Sequence, residues 1–153
     1  MIVQQMKQVA QLVSTKAYVQ DIIEYDNTRR ILGVLKSQKR ILVVVRGHVN
    51  VGIDLDGVSP AFDNAAKTAS VAVPHARLLD VVQDAPPRYY DVHTSLFNRF
   101  TPKDAELIQA TADSALKALG TQRDILQQAA SGVKRTLTSL LRGYGYTLEV
   151  TFQ

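Results

Sequence analysis

The stretch RGHVNVGIDLDGV, Arg46 to Val58, places His48 and two carboxylates, Asp54 and Asp56, at the end of an apolar run. Carboxylates two apart before a glycine suggest calcium ligation, but a helix-loop-helix calcium site needs further oxygen ligands and a glutamate at its twelfth position. Twelve positions from Asp54 stands Ala65, and twelve from Asp56 stands Lys67. The plainer reading has both aspartates bonding their own turn, with Gly57 taking a backbone angle closed to other residues. The other pairing of acid and base is Asp91 with His93, which a strand would turn to one side so that they could share a proton. His48, His75 and His93 show neither the i, i+4 pairing nor the adjacent glutamate of a zinc hydrolase.

Nucleophile and phosphate signatures are missing as well. The chain has no Gly-x-Ser-x-Gly elbow, no phosphate loop and no Gly-x-Gly-x-x-Gly. The GYGY at Gly143 to Tyr146 reads as a helix stop followed by a strand. Tyr89, Tyr90, Phe97 and Phe100 could line a groove, though their spacing also suits core and edge packing. No cysteine is present, which removes thiol catalysis and thiolate metal sites while leaving the compartment open. No cofactor is expected, and Asp54, Asp56, His48, Asp91 and His93 are the only candidate site residues.

Charge narrows the choice of partner. The formal net charge is +4, and residues 1–50 hold eight Lys/Arg against three Asp/Glu. Arg29, Arg30, Lys36, Lys39, Arg40 and Arg46 could together meet phosphate or anionic lipid. No basic helix, finger or aromatic RNA-binding signature accompanies them, so a solvated basic face is preferred to a nucleic-acid site. The longest apolar runs, such as Ile41 to Val45, fall far short of the roughly 20 residues a membrane helix needs. The first residues carry neither the charged region nor the long apolar core of a signal peptide.

The elements that must position these residues follow from periodicity. With 153 residues and 46% hydrophobic content, the chain suits one domain, 1–153, with a sizeable core. Ile2, Val3, Met6, Val9 and Leu12 form a helical stripe, so residues 1–12 read as an amphipathic lead-in. Strands are expected at Thr15 to Tyr25, before a turn at DNTRR, and across RILVVVRGHVNVGIDL, with Gly47 as a bend, bulge or hairpin corner. ASVAVP is a further strand ended by Pro74, followed by a short helix from His75 to Val82 and a stiff loop at DAPPRYY. TPKD predicts a helix capped by Thr101, with Pro102 first and Asp104 completing the cap, running to a stop at Gly120. A second helix begins at a Thr121 cap and ends at Gly143, and TLEVTF is a half-buried closing strand. The predicted fold is α+β: a mixed or mostly antiparallel sheet with a C-terminal two-helix hairpin packed on it and a closing C-terminal strand.

The order of LVSTKAYVQDIIEY, KRILVVVRGHVNVGIDLDGV, VAVPHARLLDV and LLRGYGYTLEVTF resembles the bacterial family called domain of unknown function 4230, over nearly the whole chain. Gly47, Val49, Gly52, Ile53, Asp54 and Leu55, then Val71, Val73 and Pro74, match the family's pattern; Ala72-Val73-Pro74 stands where that family often has Leu-Pro. The resemblance implies no reaction. It does imply a domain that commonly follows a membrane-spanning segment, hence tethered to a membrane and extracytoplasmic. The expected function is a non-enzymatic, membrane-associated accessory or binding domain, with a homo-oligomer or a protein as partner. The alternatives are a small metal-dependent hydrolase using Asp54, Asp56 and a histidine, and nucleic-acid or anionic-surface binding through the basic N-terminal third.

Overall fold

From Ser37 to Ile53 every odd-numbered residue is buried, among them Ile41, Val43, Val45, Val49 and Val51. Such period-two burial is what an extended chain produces, because successive side chains leave opposite faces. The result is one unbroken strand, β2 (Leu35–Asp54). It runs through Gly47 without a hairpin corner, the apolar residues on either side keeping one pleat. The computed structural model describes residues 11–31, 33, 35–94 and 98–153, without the side chains of residues 11, 29–31, 35 and 91.

The remaining elements in chain order are β1 (Gln11–Ile31) before β2, then β3 (Ala61–Asp63), β4 (Thr68–Val73), β5 (Arg77–His93), α1 (Pro102–Gly120), α2 (Arg123–Arg142) and β6 (Thr147–Phe152). β1, β2 and β5 form an antiparallel sheet in the order β1-β2-β5, and a mixed sheet has the order β3-β4-β6. The α+β class, the two C-terminal helices and the closing strand stand as the sequence predicts. Contacts divide the chain into two compact units. The first takes the described residues up to Ala17, with Val49–Asp80 and Leu119–Gln153; the second takes those of Tyr18–His48 and Val81–Ala118.

In the first unit, β4 pairs antiparallel with β3 and parallel with β6, in a register that sets Ala69 beside Leu148, Val71 beside Val150 and Val73 beside Phe152. A parallel neighbour needs a long crossover, which the chain between β4 and β6 supplies. In α2, Ala129, Val133, Leu137 and Leu141 recur every four residues and are buried. The last three join Ile53, Leu55, Val71, Val73 and Leu148 in one apolar cluster. At Gly52 β2 lies close against β1: a Cβ there would overlap the carbonyl of Leu12, which is backbone and cannot step aside.

In the second unit, Ile41, Val43 and Val45 of β2 pack with Ile108 and Ala112 of α1, and Ile23 and Tyr25 of β1 lie against them. Asp104, Ile108, Ala112 and Leu116 are buried at four-residue spacing, so one stripe of α1 covers one face of the sheet.

Four expectations are corrected. The strand does not turn at DNTRR but continues as β1 to Ile31, since Asp26 and Asn27 find partners: Gln38 of β2 donates to Asp26 at 3.4 Å, and Asn98, beyond the end of β5, donates from Nδ2 to the Asn27 carbonyl at 3.1 Å. The predicted helix at His75 to Val82 is instead the start of β5, where Leu78, Leu79 and Val82 fit a strand as well as a helix. DAPPRYY, expected as a loop, lies inside β5; in this edge strand one of the adjacent Pro86 and Pro87 lacks its N–H on the open side, where nothing is lost, and the other gives up a single bond toward β2. The α2 cap is Gln122, without a side-chain cap bond, in place of Thr121. The lead-in helix falls at residues 1–10, outside the described residues, and Gln11 and Leu12 open β1.

Candidate functional site

The DLDG turn is built from its own residues. Asp54 Oδ1 accepts the Asp56 N–H at 3.0 Å, the Val58 N–H closes on the Leu55 carbonyl at 3.1 Å, and Gly57 sits at φ +73°. The second Asp54 oxygen faces the Arg77 guanidinium at 3.3 Å, in a partly exposed pair. Asp54 thus shapes the exit of β2, as an aspartate bonding two residues ahead does in turns. Asp56 is exposed. Among the described residues no group of three His, Asp or Glu side chains converges as a cation would require.

His48 is the candidate whose surroundings carry chemistry. Its Nδ1 lies 2.7 Å from Asp84 Oδ1 on β5, and on its other flank the Tyr18 ring of β1 stands 5.2 Å away, tilted by 46°. Tyr18, His48 and Asp84 therefore form a row across all three strands. A carboxylate on Nδ1 holds the imidazole in the tautomer whose Nε2 accepts a proton, the orienting half of an acid-base pair. Asp84 was invisible to sequence reasoning because DAPP reads as a loop; once β5 is a strand, alternation brings it to His48.

Neighbouring pairs extend this row into a face. Arg40 pairs with Glu24 at 2.7 Å and Gln38 with Asp26, all four at even-numbered positions, as are Tyr18 and His48. The odd-numbered residues face α1. On the outer face Tyr18 is 71% and Ile22 64% exposed, and by alternation from Asp84, the half-exposed Tyr90 and Val92 of β5 share it. Each acid whose bonding is described on this face is engaged by a neighbour: Glu24 by Arg40, Asp26 by Gln38 and Asp84 by His48. The exposed Lys36, Arg46 and Arg88 add positive charge. His93 is exposed and lines an open cleft with Gln38, Arg40 and Thr94; the Asp91 side chain lies outside the described residues.

Behind this face lies a feature missed in the sequence. Lys39, counted there with the basic cluster, is 1% exposed, and its ammonium donates to Asp104 Oδ2 at 2.6 Å and to the Arg99 carbonyl at 2.9 Å. Lys39 therefore cannot meet phosphate. Asp104 also accepts the Thr101 N–H at 2.7 Å, the Thr101 hydroxyl at 2.8 Å and the Tyr25 hydroxyl at 2.8 Å. Burial would raise its pKa, but the Lys39 ammonium, the two Thr101 donors and the Tyr25 hydroxyl together hold it well below the ordinary carboxylate range. The signal was present in odd-numbered Lys39 within a strand whose odd positions are apolar.

Fold and face together define an α+β domain whose second unit exposes one side of a three-stranded sheet. The chain belongs to the family described as protein of unknown function (DUF4230), whose profile matches residues 4–152. No curated protein and no solved structure matches it.

Proposed function

We propose that this chain is a non-enzymatic binding domain that works at an anionic membrane surface, through the outer face of the β1-β2-β5 sheet. The observation that carries the reading is the make-up of that face: Tyr18, Ile22, Tyr90 and Val92 are exposed where α1 covers only the opposite side, and Lys36, Arg46 and Arg88 stand among them. Aromatic rings with one polar end suit the boundary between water and lipid, and each basic residue near an anionic leaflet contributes about 1 kcal/mol. The place of Asp54 supports it too, since that carboxylate shapes a turn. A tethered, extracytoplasmic placement goes with this reading.

Co-sedimentation with phosphatidylserine and phosphatidylcholine vesicles tests it. The protein should pellet with the anionic vesicles at low salt, return to the supernatant as salt rises, and bind less after Arg46→Glu. A protein that stays in the supernatant with anionic vesicles at low salt would refute the reading.

A further inference from the structure

The β1-β2-β5 sheet has two edges, and they differ. β5 carries the adjacent Pro86 and Pro87, one of which stands on the open side with no N–H to offer an incoming strand, whereas β1 has no proline from Gln11 to Ile31. Among the described residues no strand pairs with the far side of β1, and there the backbone N–H of Ile22 donates at 2.8 Å to the carboxylate of its own neighbour Asp21. Within a strand, N–H and C=O groups of alternate residues point the same way, so those of Tyr18, Gln20, Ile22 and Glu24 share the free edge with Ile22. The two most exposed large apolar side chains among the described residues, Tyr18 and Ile22, lie on that stretch.

We infer that this chain forms a symmetric dimer by antiparallel pairing of β1 with β1 of a second copy, centred on Gln20. The outer-face residues from Lys16 read Lys, Tyr, Gln, Ile, Glu at positions 16, 18, 20, 22 and 24. Laid antiparallel on itself about Gln20, this series sets Tyr18 against the partner's Ile22 and Lys16 against the partner's Glu24, each twice by symmetry. Aromatic beside β-branched and opposite charge beside opposite charge are both favourable cross-strand pairs. Neighbouring registers lose this. Centring on Asp21 sets two Asp21 carboxylates directly opposite, and centring on Ile22 sets Tyr18 against Asp26. Glu24 already meets Arg40, but both side chains are about half exposed, and a carboxylate has lone pairs for a second cation. The partner's backbone replaces Asp21 as acceptor for the Ile22 N–H. A twofold axis makes the surface its own complement and closes the assembly at two chains, joining two outer faces edge to edge. The inference rests on the edge alone, whatever that face binds.

The absence of cysteine makes the test direct. In this register the two Gln20 residues form a hydrogen-bonded pair with Cα atoms about 5.5 Å apart, whereas the two Asp26 residues are separated by twelve positions, roughly 40 Å. Gln20→Cys should be captured as a covalent dimer by a short bismaleimide, and Asp26→Cys should not. Sedimentation velocity should show the wild-type dimer growing with concentration. Ile22→Lys or Lys16→Glu should leave a folded monomer, and Lys16→Glu with Glu24→Lys should restore the dimer. A wild-type chain that stays monomeric at millimolar concentration, or that cross-links as readily through position 26 as through position 20, overturns the inference.

Discussion

Replacing Asp104 by asparagine should destabilise the protein by about 3 to 5 kcal/mol, the cost of leaving a buried charge without its counter-ion. Asparagine keeps the volume but turns an acceptor of four donors into a neutral amide with two N–H groups of its own, facing the Lys39 ammonium, the Thr101 N–H and hydroxyl and the Tyr25 hydroxyl. Lys39 is 1% exposed and cannot reach water, keeping only the Arg99 carbonyl. Lys39→Met should cost less, because the carboxylate left behind retains three donors. The two losses should not add: with both charges gone nothing ionic remains to be solvated, so the double variant should be more stable than the sum predicts by 2 kcal/mol or more. Urea denaturation of the four proteins, followed by circular dichroism, measures the cycle. A cost below about 1 kcal/mol for Asp104→Asn, or strict additivity, would show that water reaches this pair and that the reasoning is wrong.

Acid gives the same prediction a second axis. The folded-state pKa of Asp104 is depressed, so its contribution is complete above the unfolded carboxylate value of about 3.9 and shrinks as pH falls below that, until the folded carboxyl itself takes a proton. In Asp104→Asn that part of the acid limb of the stability curve should flatten.

Three further outcomes follow from the first unit. Gly52→Ala drives a methyl into the Leu12 carbonyl, so β1 and β2 must shift apart; thermal melting should show a loss of about 1 to 3 kcal/mol, more than an exposed strand glycine would give. Asp54→Ala removes the bond to the Asp56 N–H and the exposed pair with Arg77, and should lower stability by only about 1 kcal/mol. Saturating calcium, magnesium, manganese or zinc should leave the melting temperature of the wild-type protein unchanged; a rise abolished by Asp54→Ala would show instead that Asp54 binds metal.

The helical third was legible because its signals are local. Thr101, Pro102 and Asp104 form a cap within four residues, and Ala129, Val133, Leu137 and Leu141 mark the buried stripe of α2 by spacing alone. The strands were legible only where one face is apolar, as at Val43 and Val45. At Asp26 to Arg30 and at Asp84 to Tyr90, polar and proline residues that look like turns belong to edge strands, and edge position is a property of the sheet order that no local window contains. The same gap hid the site. Tyr18, His48 and Asp84 are 30 and 36 residues apart, and Lys39 and Asp104 are 65 apart; only strand pairing and helix docking make them neighbours.

Lys39 and Arg40 show how one step of the pleat separates holding from meeting. Lys39 points inward and fixes the first turn of α1 through Asp104, while Arg40 points outward and meets Glu24 in solvent. A slip of β2 by one residue would take Lys39 out of the core and away from Asp104, turn the larger Arg40 guanidinium inward and away from Glu24, and expose Ile41, Val43 and Val45. Two like-charged neighbours with opposite requirements thus specify the register more sharply than the apolar alternation alone, since apolar residues tolerate rearrangement and a buried charge without its partner does not.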